Sequence, residues 1–250
     1  MYSFLAAAAS AEFDRADTDQ LAGLGALGAR RLVGGHREHR LVAAAHQRLV
    51  EVMNRVGAGR RSADLGEVLV PLLQEAGAGA ATGQRAAAYR YALFVTAAQL
   101  SGKNVALLVP AIQRRPRPLT LTLHGRHDLA QHFAISAALA AWAGEPLANT
   151  IGLDKEVDDA RGGSGFSFAD LAADRAGTRF GELAVHRPTH LANILSGGVD
   201  ALMPPIDGLP EHLMSDEFAR RFGTVGSPAY QGVVAEIERR IAALALFQSP

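Results

Sequence analysis

The sequence predicts a mainly α, bundle-like globular domain with one small β-hairpin at about residues 104–124. Three observations carry this. Apolar residues recur at helical spacing, as in Val42, Leu49 and Met53. Alanine is abundant, there are 26 glycines and only 6% of residues are aromatic, a composition suited to helices that approach one another closely. Strict apolar–polar alternation occurs in one clear run, Leu119-Thr120-Leu121-Thr122-Leu123.

The elements follow in chain order. Residues 36–56 read as a helix with Glu51 and Arg55 as an i,i+4 pair on its outer side, closed by Gly57-Ala58-Gly59. Ser62 is positioned to cap a second helix through Leu65, Val68 and Leu73, in which Pro71 demands a kink or break. A third helix spans about 84–100. The apolar run 104–109 and the alternating run 119–123 are the two arms of the expected hairpin, which needs helices beneath it to be stable. Helices are expected at 126–143 and from Pro146 to about residue 160, then a loop at 161–165. Ser167 caps the next helix, with Asp170 at the capping-box position. The proline-rich stretch 203–213 reads as irregular. Ser227-Pro228 starts a final helix to about residue 246, with Glu236 and Arg240 paired on it. The chain reads as a single domain, 1–250, in two regions: a helical one over 1–118 and a motif-bearing one over 119–250.

Composition excludes several function classes. Lys+Arg and Asp+Glu are 25 each, so net charge provides no reason to expect nucleic acid or an anionic membrane as partner. The basic run Arg114-Arg115-Pro116-Arg117 reads as a solvated turn. With no cysteine, disulfides, thiolate metal sites and cysteine nucleophiles are ruled out. No apolar run is long enough to span a bilayer; the best, residues 133–144, is too short. Residues 4–11 resemble the end of a signal peptide, Ala9-Ser10-Ala11 having the shape of a cleavage site, but no basic segment precedes them.

The chemistry is concentrated between Arg126 and Gly181. Asp128 and His132 are four apart and share one helix face; Glu156 and Asp159 are three apart on the next helix; Asp170 and Asp174 are four apart on the third. If these faces converge, a His–carboxylate cluster forms. Such a cluster can hold a divalent metal, with His132, Glu156, Asp170 and Asp174 as candidate ligands and Asp128 or Asp159 orienting them. It can raise the basicity of the imidazole for general-base work. Or it can neutralise Lys155, Arg161 and Arg175 in a buried network that fixes helix register. Gly177 and Gly181 continue the face of Asp174 and would admit a neighbouring helix.

Asp128, His132, Phe133, Lys155, Glu156, Asp159, Ser167, Asp170, Asp174, Gly177 and Gly181 form a pattern that resembles a family of uncharacterised bacterial proteins including predicted periplasmic lipoproteins and, more distantly, the VanZ-like proteins. The resemblance covers about residues 125–181. It implies a cell-envelope location and supplies no reaction; the location expected is periplasmic or cytoplasmic, with the resemblance favouring the periplasm, and the partner expected is an envelope protein. The chain departs from VanZ-like proteins in lacking their hydrophobic spans, and it has no lipobox cysteine.

Other signatures are weaker. His127-Asp128 is the dipeptide of the HD phosphohydrolases, but the further ligands would have to be chosen among nine histidines. The 162–165 loop lacks the Gly-Lys-Ser/Thr ending of a phosphate loop, and Ser164 lacks the Gly-x-Ser-x-Gly spacing of a serine hydrolase. His46 lies on the Val42–Leu49–Met53 stripe and reads as a core histidine. His186 and His190 flank Pro188 and read as surface or loop residues. The expectation is an envelope-type protein whose cluster is structural or binds a ligand; the alternative is a metal-dependent hydrolase acting on an envelope or phosphate-containing substrate.

Overall fold

The computed structural model describes residues 36–80, 82–107, 109–143 and 165–248. Lys155, Glu156, Asp159 and Arg161, the helix expected from Pro146, the 161–164 part of the glycine-rich loop and the signal-like segment lie outside the described residues. Within them the fold is mainly α, as the patterning predicts.

Helix α1, His36–Val56, is amphipathic: Val42, Leu49 and Met53 are fully buried, while Arg40, Gln47, Glu51 and Arg55 face water. Glu51 and Arg55 do not form the expected pair. Gln47 donates to Glu51 (3.0 Å), and Arg55 crosses to Glu75 (2.6 Å), because a long flexible side chain beside a second helix has more than one carboxylate in reach.

The strands differ from expectation. Strand β1 is Ser62–Asp64 and β2 is Thr120–Thr122, and they pair in parallel, Ser62 opposite Thr120 and Asp64 opposite Thr122. The 104–124 hairpin does not form. Asn104 accepts from the Ala106 N–H (3.1 Å), and this local bond turns the 104–109 run into a 3-10 turn, Val105–Leu107. The alternation in β2 is real: Leu121 is buried and paired with Ala63.

Ser62, placed in β1, does not cap the next helix. Asp64 does: its carboxylate accepts from Gly66 N–H (2.8 Å) while Glu67 reaches back to Asp64 N–H (3.0 Å), a complete capping box. Glu67 also takes both arms of Arg60, and its carboxyl is held down to about 2, first by that bond and then by the Asp64 N–H. Helix α2, Leu65–Ala78, runs through Pro71 as one helix, so of the expected kink or break the break does not occur. Val68 and Leu69 before the proline and Leu72 and Leu73 after it are all fully buried, and burying such side chains at roughly 1.5–3 kcal/mol each outweighs a loss of about 3 kcal/mol at one proline.

Helix α3, Arg85–Leu100, is central and buried along most of its length. Helix α4, His127–Ala143, and α5, Phe168–His186, form the most extensive helix pair among the described elements. Pro188 ends the run of α5 and starts α6, Pro188–Gly197, the break expected there; His186, exposed as a surface residue, and His190 stand on helices either side of it rather than in a loop. After the irregular 203–213 stretch come α7, Ser215–Phe222, outside the helices expected from the patterning, and α8, Pro228–Ala242, capped by Ser227 and braced by Glu236–Arg240 (2.7 Å). Phe166, Phe168, Phe218, Phe222 and Tyr230 pack their rings where α5, α7 and α8 meet.

Candidate functional site

The site begins with backbone contact. A Cβ at Gly177 would lie 2.2 Å from the Phe133 carbonyl oxygen, and one at Gly181 would lie 2.2 Å from that of Ala137. Only glycine permits this approach, and Ala137 and Ala140 of α4 lie directly against Gly181 in the same seam. The contact fixes which residues face each other: His132 and Ser136, one turn apart on α4, meet Asp170 and Asp174, one turn apart on α5.

His132 Nδ1 lies 3.2 Å from both oxygens of Asp174, and Ser136 donates its hydroxyl to Asp174 Oδ1 at 2.7 Å. His132 Nε2 faces Asp170 Oδ2 at 3.7 Å. His132, Ser136, Asp170 and Asp174 are all buried, at 5, 2, 8 and 4% exposure, so each polar group needs a partner within the protein. Asp170 also opens α5, where its backbone N–H donates to the Ser167 hydroxyl (3.1 Å) and its charge suits the helix N-terminus.

Arg126 is the hub on the solvent side. It enters from a two-residue turn in which Leu123 and Arg126 exchange both backbone hydrogen bonds (2.9 Å each) around His124 and Gly125, both at positive φ. His124 adopts this left-handed backbone at φ 49° and is tied to the Pro204 carbonyl (3.0 Å). The turn sends the Arg126 guanidinium to Asp128 (2.5 Å), to Asp170 (3.3 Å) and to Glu211, which also accepts from Ser167 (3.3 Å). The same bonds hold the Arg126 proton more tightly than usual, first through Asp128 and against a cost from burial. Burial pushes the Asp128 carboxyl up, but the bond and charge of Arg126, the Leu129 N–H and His132 together hold it below its ordinary value.

The residues singled out from sequence divide into three groups. Asp128, His132, Asp170 and Asp174 come together. Arg175 does not join them: it points to α8 and pairs with Glu238 (2.6 Å), since the residue after Asp174 is turned about 100° away on a helix. Lys155, Glu156 and Asp159 are outside the described residues. Sequence reasoning missed Ser136, Glu211 and the role of Arg126 as hub. Ser136 was findable, lying four residues after His132. Glu211, in an irregular segment, carries no periodic signal.

Among the described residues, no three His, Asp or Glu side chains are grouped as a metal would require, and no helix is long and apolar enough to cross a membrane. The Asp174 oxygens face His132 and Ser136. Comparison with family models, with curated proteins and with solved structures finds no match for this chain.

Proposed function

We propose that this is a non-catalytic, envelope-type protein in which the Arg126–Asp170–His132–Asp174–Ser136 network locks α4, α5 and the 203–213 stretch in one register. The observation that carries the reading is that each described carboxylate of the cluster already has a partner in the protein: Asp174 has His132 and Ser136, Asp170 and Asp128 have Arg126, and Glu211 has Arg126 and Ser167. Buried networks of this kind disfavour alternative packings, because any slip strands a polar group without a partner. The envelope assignment, periplasmic with a protein partner, rests on the family resemblance over residues 125–181.

The test is unfolding of the parent beside His132→Ala and Asp174→Asn. Large losses of stability in both, with no bound metal by elemental analysis of untagged protein purified without chelator, support the lock. Unchanged stability in both overturns it.

A second reading starts from the residue types: an imidazole, His132, lies beside two carboxylates, 3.2 Å from Asp174 and 3.7 Å from Asp170, the side-chain chemistry that divalent cations take. That reading is a metal-dependent hydrolase with His132, Glu156 and Asp170 or Asp174 as ligands and Asp128 or Asp159 behind them. Near-stoichiometric metal in the parent, lost in His132→Ala and in Glu156→Gln, would select it over the lock.

A further inference from the structure

A concavity of about 280 Å³ lies on the opposite end of α5 from the network, between the last turns of α5, the start of α6 and the 3-10 turn Ala245–Phe247. From Asp174 to Glu182 is eight residues, roughly 12 Å along a helix, so the two regions are separate. The volume falls just below the range of about 300–1,000 Å³ usual for ligand pockets, which suits a small molecule.

Its lining is chemically one-sided. Arg179, His186, Arg187 and His190 border it against a single carboxylate, Glu182. Glu182 is engaged by His186 at 3.0 Å. Among the described residues, neither the Arg179 nor the Arg187 guanidinium has a carboxylate in salt-bridge contact, and what sets these two apart from other arginines without such a contact is that both line one concavity. The Arg179 guanidinium carbon lies over the Phe247 ring, 5.1 Å from its centroid, a cation–π contact that leaves its charge unneutralised. The remaining lining, Leu183 and Leu246, is apolar.

We propose that this concavity binds a small organic phosphate, the two guanidinium groups holding the phosphate oxygens and the leucine floor receiving the attached carbon group. Planar guanidinium forks match phosphate oxygens bidentately and stay charged at any physiological pH. A carboxylate would match one fork; a phosphate monoester offers enough oxygens for two. The apolar floor distinguishes an organic ester from inorganic phosphate. The same chemistry is carried by a soluble ester and by the headgroup of phosphatidic acid.

The experiment is calorimetric titration of the full chain with phenyl phosphate and with inorganic phosphate, alongside co-sedimentation with phosphatidylcholine vesicles with and without phosphatidic acid. Expected is saturable phenyl phosphate binding, tighter than inorganic phosphate and weakened about tenfold or more in Arg187→Gln and in Arg179→Gln, both exposed positions where thermal unfolding should be unchanged. Arg187→Lys should recover part of the affinity, since it restores charge without the fork. Sedimentation only with the phosphatidic acid vesicles, lost in the same variants, would assign the phosphate to a lipid headgroup. Absence of binding in both formats, or binding untouched by both arginine substitutions, overturns the proposal. Neither result bears on the network, which these variants leave intact.

Discussion

Helix α1 and the α4–α5 pair share one core and are held in it by opposite means. On α1, large side chains on one stripe, Val42, Leu49 and Met53, are buried while Arg40, Gln47 and Glu51 stay in water. On α4, every residue from His132 to Ala141 is buried, and the contact with α5 is made by backbone, alanine and glycine around a line of hydrogen-bonded polar groups, with one aromatic pair, Phe133 against Phe180 (5.6 Å between centroids). An apolar stripe is set by volume and tolerates exchange among apolar residues of similar size. A small-residue seam with polar groups inside it specifies position as well as burial, and has little room to adjust.

The largest test of that contrast is Gly177→Ala. Its methyl would lie 2.2 Å from the Phe133 carbonyl oxygen, so α4 and α5 must separate. The expected loss is about 3 kcal/mol or more in urea unfolding. A loss below about 1 kcal/mol would mean the two helices are less tightly opposed than described. Next is Asp174→Ala, which strands the buried His132 and Ser136 donors and should cost about 2–4 kcal/mol by the same measurement.

A smaller effect separates α1 by pH. Burial lowers the affinity of His46 for a proton below its usual 6.5. The unfolded chain then takes up the proton first, so stability contributed by neutral His46 is present above pH 6.5 and falls as the pH drops from 6.5 toward the folded-state value. His46→Leu should flatten that part of a stability-versus-pH curve; an unchanged slope would assign it to other groups. The smallest effect belongs to the outer face of α1, where Glu51→Ala should change stability by less than about 0.5 kcal/mol.

The same contrast explains what could be read without coordinates. Periodicity placed α1, α3, α4 and α5, and Ser227-Pro228 placed the start of α8, because stripes and caps are local. The i,i+4 spacing of Asp128 with His132 and of Asp170 with Asp174 identified two faces that do meet, and Gly177 and Gly181 marked the approach that brings them together. What spacing lacks is the partner. Leu119 to Leu123 reads correctly as a strand, yet nothing in it points to Ser62–Asp64, which lies across two helices. Arg55 and Arg175 chose carboxylates on neighbouring helices, Glu75 and Glu238, over those beside them in sequence. Glu211 reaches Arg126 from irregular chain, where no period exists to carry a signal.

The parallel pairing of β1 with β2 also bears on the order of folding. Ser62 and Thr120 are 58 positions apart (120 minus 62), so joining them closes a long loop for a two-strand ladder of three residue pairs. The entropy of that closure favours waiting until α2 and α3 have packed and shortened the effective distance. The ladder then acts as a late latch, governing how long the native state persists more than how fast it is reached. Replacing the buried Leu121 with Ala should speed unfolding in stopped-flow experiments and leave the refolding rate close to that of the parent, whereas slowed refolding would place the strand pair in the transition state.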